Sequence, residues 1–270
     1  MRVVPADLTR GPARAYQPVV LVTRPEREGV SWVQALCERG LEAHALPLIA
    51  IAPAPDAASL VAAREALPAC AAAMFVSANA VHGFLDAPTP AWPAAPRAWA
   101  TGPGTARALV AAGVPSGQID APPPESARFD SEALWDLVGP SVRPGDRVLI
   151  VRGGDAQGQA AGRDWLTQRL QERGARVDTV VAYVRELPAW NEGQRARARA
   201  GTQDGAWWLF SSSEGVDNLA SLVPAQAWSA ARALCTHPRI AEAARAAGFG
   251  TVAVVRPGLQ DIAAFLQSPA

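Results

Sequence analysis

Residues Arg97 to Gly113 read RAWATGPGTARALVAAG, and that order of residue types dictates a strand, a turn and a helix. The run RAWAT (Arg97–Thr101) is short and apolar, the length of a strand buried on both faces. Gly102, Pro103 and Gly104 interrupt it, and an alanine-rich helical pattern follows at once and stops at Gly113. Such a loop points backbone N–H groups at whatever sits before the helix, so it can cradle an anion.

The same grammar runs along the chain. VVLVT (Val19–Thr23) reads as a buried strand, and SWVQALCERG as a helix with Ser31 near its start and Gly40 past its end. AMFVS (Ala73–Ser77) leads into a helix from about Asn79, and RVLIVR (Arg147–Arg152) into a helix ending at Gly174. VDTVVAYV follows, then WWLFS (Trp207–Ser211), RALCT (Arg232–Thr236) and TVAVV (Thr251–Val255). Alternation of this kind builds βαβ units and parallel sheets covered on both faces. The fold class expected is α/β.

The two halves also match each other. FVSANAV (Phe75–Val81) aligns with FSSSEGV (Phe210–Val216), placing Ser77 over Ser212. GPGTARALVAAG (Gly102–Gly113) aligns with HPRIAEAARAAG (His237–Gly248) at the same interval. The first strands align with Arg24 over Arg152, and the second half carries a longer loop, GGDAQGQAAG (Gly153–Gly162). A repeat of this order predicts two similar α/β domains, and by itself suggests two contiguous halves.

Composition removes several function classes. Lys+Arg and Asp+Glu are 25 each, so no global basic field recruits nucleic acid. Every basic residue is arginine, the side chain suited to gripping carboxylates with two parallel hydrogen bonds. Cys37, Cys70 and Cys235 are odd in number and far apart, which argues for a reducing compartment rather than a disulfide framework. No apolar run is long enough to span a membrane, and the N-terminus lacks the core of a signal peptide. It reads as a loose tail holding Tyr16, and a cytoplasmic protein is expected.

In parallel α/β sheets ligands bind beyond the carboxyl ends of the strands. Those ends carry Thr23-Arg24, Ser77-Ala78-Asn79, Thr101 to Thr105, Arg152-Gly153-Gly154, Ser211 to Ser213 and Thr236-His237. Hydroxyls, glycines and arginines hold anions well and suit metal or covalent chemistry poorly. Each Ser or Thr could alternatively just cap the next helix, contributing about 1 kcal/mol. GPGTAR lacks the third glycine of a dinucleotide fingerprint, and a chain without lysine has no Walker loop. There is no G-x-S-x-G elbow, and His44, His82 and His237 have no metal-ligand spacing, so no metal is expected. The residues alone lead to a two-domain α/β protein that binds a polyanion with little side-chain chemistry.

VLVTRP, LCERGLEAHALPLIAIAP, MFVSANAVHGFL, ATGPGTARAL, VLIVRGG, GRDWLTQRLQERGARVDTVVAYVR and LFSSSEGVDNL together resemble the uroporphyrinogen-III synthase family, from about Val19 to Leu266. The resemblance implies two flavodoxin-like parallel-sheet domains joined by a two-stranded linker, with a ligand cleft between them. It implies a first domain of residues 1–46 plus 186–270, a second of 53–180, and linker strands at 47–52 and 181–185. The implied activity is closure of hydroxymethylbilane, a linear tetrapyrrole with eight carboxylates, to uroporphyrinogen III with inversion of ring D, without cofactor. Tyr183 matches the family tyrosine proposed to assist departure of the hydroxyl, the alternative being a linker tyrosine that packs or binds a carboxylate, and Thr105 matches a family threonine that can reach the ligand. Implied substrate-binding residues are Arg24, Ser77, Asn79, Gly102, Gly104, Arg152, Gly153, Arg163, Ser212, Ser213 and Thr236. Ile240 stands where some relatives have a threonine. The partners expected are the substrate and, transiently, the upstream deaminase; neither nucleic acid nor membrane is expected, and the chain is expected to be a monomer. The alternative is a non-catalytic two-domain binding or scaffold protein for a carboxylated tetrapyrrole or a pathway partner. The lengthened loop and Ile240 favour it; the combination of Thr105, Tyr183 and Ser77 favours the enzyme.

Overall fold

The computed structural model describes residues 18–85, 91–123, 125–126, 128–160 and 165–268. The N-terminal tail with Tyr16, and Arg163, lie outside these residues. Two compact units are formed: one joins the described residues up to Ala50 to those from Leu187 onward, and the other is Ile51–Glu186.

The first unit holds β1 (Val20–Val22), β2 (Ala43–Ala45), β9 (Trp207–Phe210), β10 (Arg232–Cys235) and β11 (Thr251–Val254). They form a parallel sheet in the order β11-β10-β9-β1-β2. Its helices are α1 (Glu26–Cys37), α7 (Glu192–Ala200), α8 (Ser213–Leu222), α9 (Pro238–Ala246) and α10 (Leu259–Gln267). Alternate strand residues feed two cores: Leu21, Trp208 and Phe210 enter one, and Val20, Val22 and Leu209 the other. Burial on both faces is why these strands read as continuous apolar runs, each such side chain contributing about 1.5–3 kcal/mol. Pro47 and Leu48 are held in this unit: Trp190 Nε1 donates to the Pro47 carbonyl at 2.7 Å, and Asn218 Nδ2 to that of Leu48 at 2.8 Å.

The second unit contains β4 (Ala72–Phe75), β5 (Arg97–Ala100), β6 (Ile119–Asp120), β7 (Arg147–Gly154) and β8 (Arg176–Glu186), with β3 (Ala50–Pro53) at one edge. The sheet order is β3-β8-β7-β4-β5-β6. Its helices are α2 (Ala57–Ala66), α3 (Ala78–Leu85), α4 (Pro103–Ala111), α5 (Ser131–Val138) and α6 (Trp165–Glu172). β8 is one continuous strand, and Val181, Tyr183 and Val184 pair with β7.

When the sequence repeats are overlaid, β1 matches β7, β9 matches β4, and β10 matches β5. The two sheets then have the same order, β2-β1-β9-β10-β11 and β8-β7-β4-β5-β6, the flavodoxin-like 2-1-3-4-5 pattern. Apart from the edge strand β3, each sheet takes two strands from one repeat and three from the other. The contiguous halves suggested by the repeat alone therefore do not occur.

The first helix also differs from expectation. It begins at Glu26, after Pro25, not near Ser31. Glu26 and Glu28 in its first turn complement the positive helix start, and the Ser31 hydroxyl donates to the Glu28 carbonyl at 2.9 Å instead of capping. Gly40 does follow the helix, at φ 80°.

Candidate functional site

In the second unit the strand order reverses between β7 and β4, the place where such sheets open a crevice. β4 leads through Val76 into Ser77, whose Oγ accepts from the Ala80 N–H at 3.2 Å and so caps α3. The same oxygen lies 3.1 Å from the Tyr183 hydroxyl. Two residues 106 apart in sequence thus share one hydrogen bond at a strand end.

A β-bulge puts Tyr183 there. Arg152 pairs with Val181, but Gly153 pairs with Tyr183, so Ala182 is an extra residue on β8. A bulge breaks the two-residue alternation and re-aims the side chain that follows it. Val180, Ala182 and Tyr183 accordingly all enter one core, with Phe75 and Val151. Tyr183 is only 5% exposed. Gly83 lets α3 lie against the bulge, because a methyl group there would collide with the Ala182 carbonyl oxygen. Arg152, 6% exposed, stands at the same edge.

The glycine-rich loop follows β5. Thr101 Oγ1 donates to the Val76 carbonyl at 3.2 Å, tying the ends of β5 and β4 together. Gly102 is the extended N-cap of α4, and Pro103 opens the helix where its missing N–H is no loss. A Cβ on Gly102 would approach the Phe129 Cβ to 3.1 Å, whereas one on Gly104 would meet nothing within 4 Å. The first turn of α4 therefore opens to free space at Gly104. Thr105 is 6% exposed, and its hydroxyl makes no hydrogen bond among the described residues. This helix start can accept an anion from its N–H groups and one hydroxyl.

The long loop after β7 is organised by Asp155. Its Oδ1 accepts from the N–H groups of Gln157 at 3.0 Å and Gln159 at 2.9 Å, and Gly154 bridges Ala160 in antiparallel sense. Gly158, at φ 78°, supplies the left-handed turn.

The first unit has related strand ends with different chemistry. Thr23 Oγ1 donates to the Leu209 carbonyl at 2.8 Å. Arg24 Nη1 donates to Glu28 Oε2 at 3.1 Å, and its guanidinium lies 4.3 Å from the centre of the Trp32 ring. Its Nε is buried with no hydrogen-bond partner among the described residues. Burial pushes the guanidinium pKa below its ordinary value, against the opposing pull of Glu28. Ser212 precedes α8 as N-cap, yet its side chain makes no capping bond, and Ser213 is the first helical residue. Thr236 follows β10 and is half-buried. His237 then caps α9: its Nδ1 accepts from the Arg239 N–H at 3.1 Å, which places the neutral-ring proton on Nε2. The start of α9 is thus served by its own side chain, and buried Ile240 stands at the position of Thr105. The two pseudo-equivalent helix starts are not interchangeable.

Of the residues singled out in the sequence, Ser77, Gly153 and Tyr183 come together directly, with Asn79 in the first turn of α3. Gly102, Gly104, Thr105 and Arg152 belong to the same unit, and Arg24, Ser212, Ser213 and Thr236 to the other. Ala182, Trp32, Glu28 and the His237 cap emerge only from the structure. Only the last had a local signal, a side-chain acceptor followed by proline at the helix start. No helix among the described residues is long and apolar enough to cross a membrane.

A family model described as uroporphyrinogen-III synthase HemD matches residues 30–263. The uroporphyrinogen-III synthase of Salmonella typhimurium is 30% identical over 242 residues, covering 87% of this chain and 94% of that protein. The fold is similar to the crystal structure of a mutant uroporphyrinogen III synthase from Thermus thermophilus, with TM-score 0.53, 19% identity, and coverage of 92% of this chain and 97% of that one. It is also similar to that of uroporphyrinogen-III synthetase from Helicobacter pylori, with TM-score 0.54, 13% identity, and coverage of 93% and 100%.

Proposed function

The chain belongs to the uroporphyrinogen-III synthase family, and on that premise we propose that it closes hydroxymethylbilane to uroporphyrinogen III, inverting ring D and releasing water. The observation that carries this reading is the 3.1 Å contact between the Ser77 and Tyr183 hydroxyls at the strand-order reversal. Tyr183 gives its proton to the departing hydroxyl of the substrate, the C–O bond breaks, and water leaves. The azafulvene so formed is attacked by the substituted carbon of ring D, and a spiro intermediate rearranges to the inverted ring. Loss of a ring proton at the end returns Tyr183 to its starting state.

Ser77 sets the direction of that transfer. Its oxygen already accepts from the Ala80 N–H, so its own proton is free to point at the phenol oxygen. A phenol losing its proton then receives a hydrogen bond, backed by the positive start of α3. Hydrogen bonds to charged groups are worth about 1.5–3 kcal/mol, enough for roughly a tenfold effect or more. The substrate closes unaided to the type I isomer, so the protein must also hold it in the right shape. Arg24, Asn79, Gly102, Gly104, Thr105, Arg152, Gly153, Arg163, Ser212, Ser213 and Thr236 are proposed to take its acetates and propionates. The glycine-rich loop after β5 is proposed to hold a carboxylate, not a phosphate. The reaction as written uses no metal or cofactor. The protein is proposed to work as a cytoplasmic monomer supplied by the upstream deaminase.

The test is an isomer assay. Purified protein receives fresh hydroxymethylbilane, the products are oxidised, and type I and type III porphyrins are separated. Type III above the protein-free control is expected. Type I alone, from folded protein, would overturn the proposal and leave a tetrapyrrole binder.

A further inference from the structure

We infer that Gly153 is a positioning residue: its bare Cα is the floor on which the Tyr183 ring lies. A Cβ at Gly153 would stand 2.5 Å from Tyr183 Cζ and 2.8 Å from its hydroxyl oxygen, closer than real Cβ contacts come. Backbone conformation does not demand a glycine here, since Gly153 is absent from the seven glycines with positive φ among the described residues. Space does. The β-bulge sets Tyr183 opposite Gly153 in the ladder, and that pairing brings the ring over the glycine and the hydroxyl to Ser77.

The first unit provides an internal comparison. Where Arg152 is followed by Gly153, the matching Arg24 is followed by Pro25, and β1 stops at Val22 whereas β7 continues to Gly154. That unit has no tyrosine among its described residues: the chain has two, Tyr16 and Tyr183. The glycine goes with the tyrosine. Gly154 differs again, because a Cβ there would come nearest to the Val181 Cγ1, at 2.9 Å, not to an aromatic ring.

The inference rests on the catalytic reading of Tyr183, but its geometry is tested separately. Thermal unfolding is compared for Gly153→Ala in the wild-type and Tyr183→Ala backgrounds. The alanine is expected to lower Tm by roughly 5 °C or more with the ring present, and by about 1 °C or less without it. Failure of Gly153→Ala to fold unless Tyr183 is also removed would support the inference equally. An equal loss in both backgrounds would overturn it.

With two tyrosines, tyrosine labelled with 13C at Cζ gives a spectrum in which Tyr183 is identified by its loss in Tyr183→Phe. Its resonance is expected to move in Gly153→Ala and in Ser77→Ala; a stationary resonance in Gly153→Ala would overturn the inference. In turnover, Gly153→Ala, which keeps the backbone groups that Gly153 would offer a substrate carboxylate, should lower kcat about as much as Tyr183→Phe, about 10- to 100-fold, with KM within roughly twofold. The double variant should be no slower than Tyr183→Phe, and multiplied losses would contradict a role through Tyr183. If Tyr183→Phe keeps full turnover, the acid reading fails, while the unfolding comparison and the resonance still decide the role of Gly153.

Discussion

At the scale of single residues, the Ser77 hydroxyl lies 3.1 Å from the Tyr183 oxygen and is placed to donate to it when charge develops there in turnover. Ser77→Ala should therefore lower type III formation by about tenfold through kcat, less than loss of the phenol itself. Thr105→Ala should weaken substrate binding and rate yet leave Tm within about 2 °C, because the hydroxyl makes no hydrogen bond among the described residues. A collapse in Tm would instead assign Thr105 to the fold. The cysteines separate by burial: Cys37 is exposed, whereas Cys70 and Cys235 are buried. Burial pushes the Cys235 thiol from near 9 up to about 11. Its folded pKa exceeds its unfolded one, so the thiol stabilises folding fully below pH 9, and that contribution is lost as pH rises from about 9 to 11. Alkylation at pH 8 followed by mass spectrometry should mark Cys37 rapidly and the other two only after unfolding. Rapid labelling of Cys235 would contradict its burial. Tyr183, Ser77 and Thr105 could each be picked out from sequence, but the Ser77–Tyr183 pairing could not. Its partners are 106 residues apart, and the bulge that joins them leaves no trace in the apolar run VVAYV.

At the scale of elements, propensity and packing make opposite predictions for α3. Alanine is a better helix former than glycine by about 1 kcal/mol, so Gly83→Ala should stabilise an isolated helix. Here a methyl would strike the Ala182 carbonyl oxygen, so a net loss of roughly 1–3 kcal/mol is expected by urea unfolding. Stabilisation would mean that α3 does not rest on the bulge. Helix α7 is closed by a reciprocal cap, in which Asn191 accepts from the Gln194 N–H and the Gln194 side chain accepts from the Asn191 N–H, both at 2.9 Å. Asn191→Ala should cost about 1 kcal/mol without changing turnover. Strands are legible because burial on both faces leaves uninterrupted apolar runs; the start of α1 is not where Ser31 suggests, because Pro25 and two glutamates outweigh a serine that bonds backwards. The lengthened loop after Gly153 looked like an insertion, but Asp155 folds it into a tight turn.

At the scale of the whole molecule, each sheet is completed by the other repeat. Strand β1 pairs with β9, and β4 with β7, so neither repeat holds the partners its own middle strands need. A fragment Ile51–Glu186 should melt cooperatively by circular dichroism, whereas the contiguous first repeat, Val19–Asp120, should not. Cooperative folding of the latter would contradict this exchange of strands. The repeat itself was visible in the alignment of Ser77 with Ser212, since βα units carry local punctuation. The exchange was not, because strand pairing across such separations is set by which apolar edges meet, and nothing local records it. The central claim, that a tyrosine set in the β7–β8 ladder drives ring-inverting closure, is tested most directly by the isomer ratio from Tyr183→Phe. Folded variant and wild type are given equal hydroxymethylbilane, and type III is followed against type I. A rate lowered about 10- to 100-fold, with type I rising as spontaneous closure overtakes the enzyme, is the predicted result. Undiminished type III formation by the variant would contradict it.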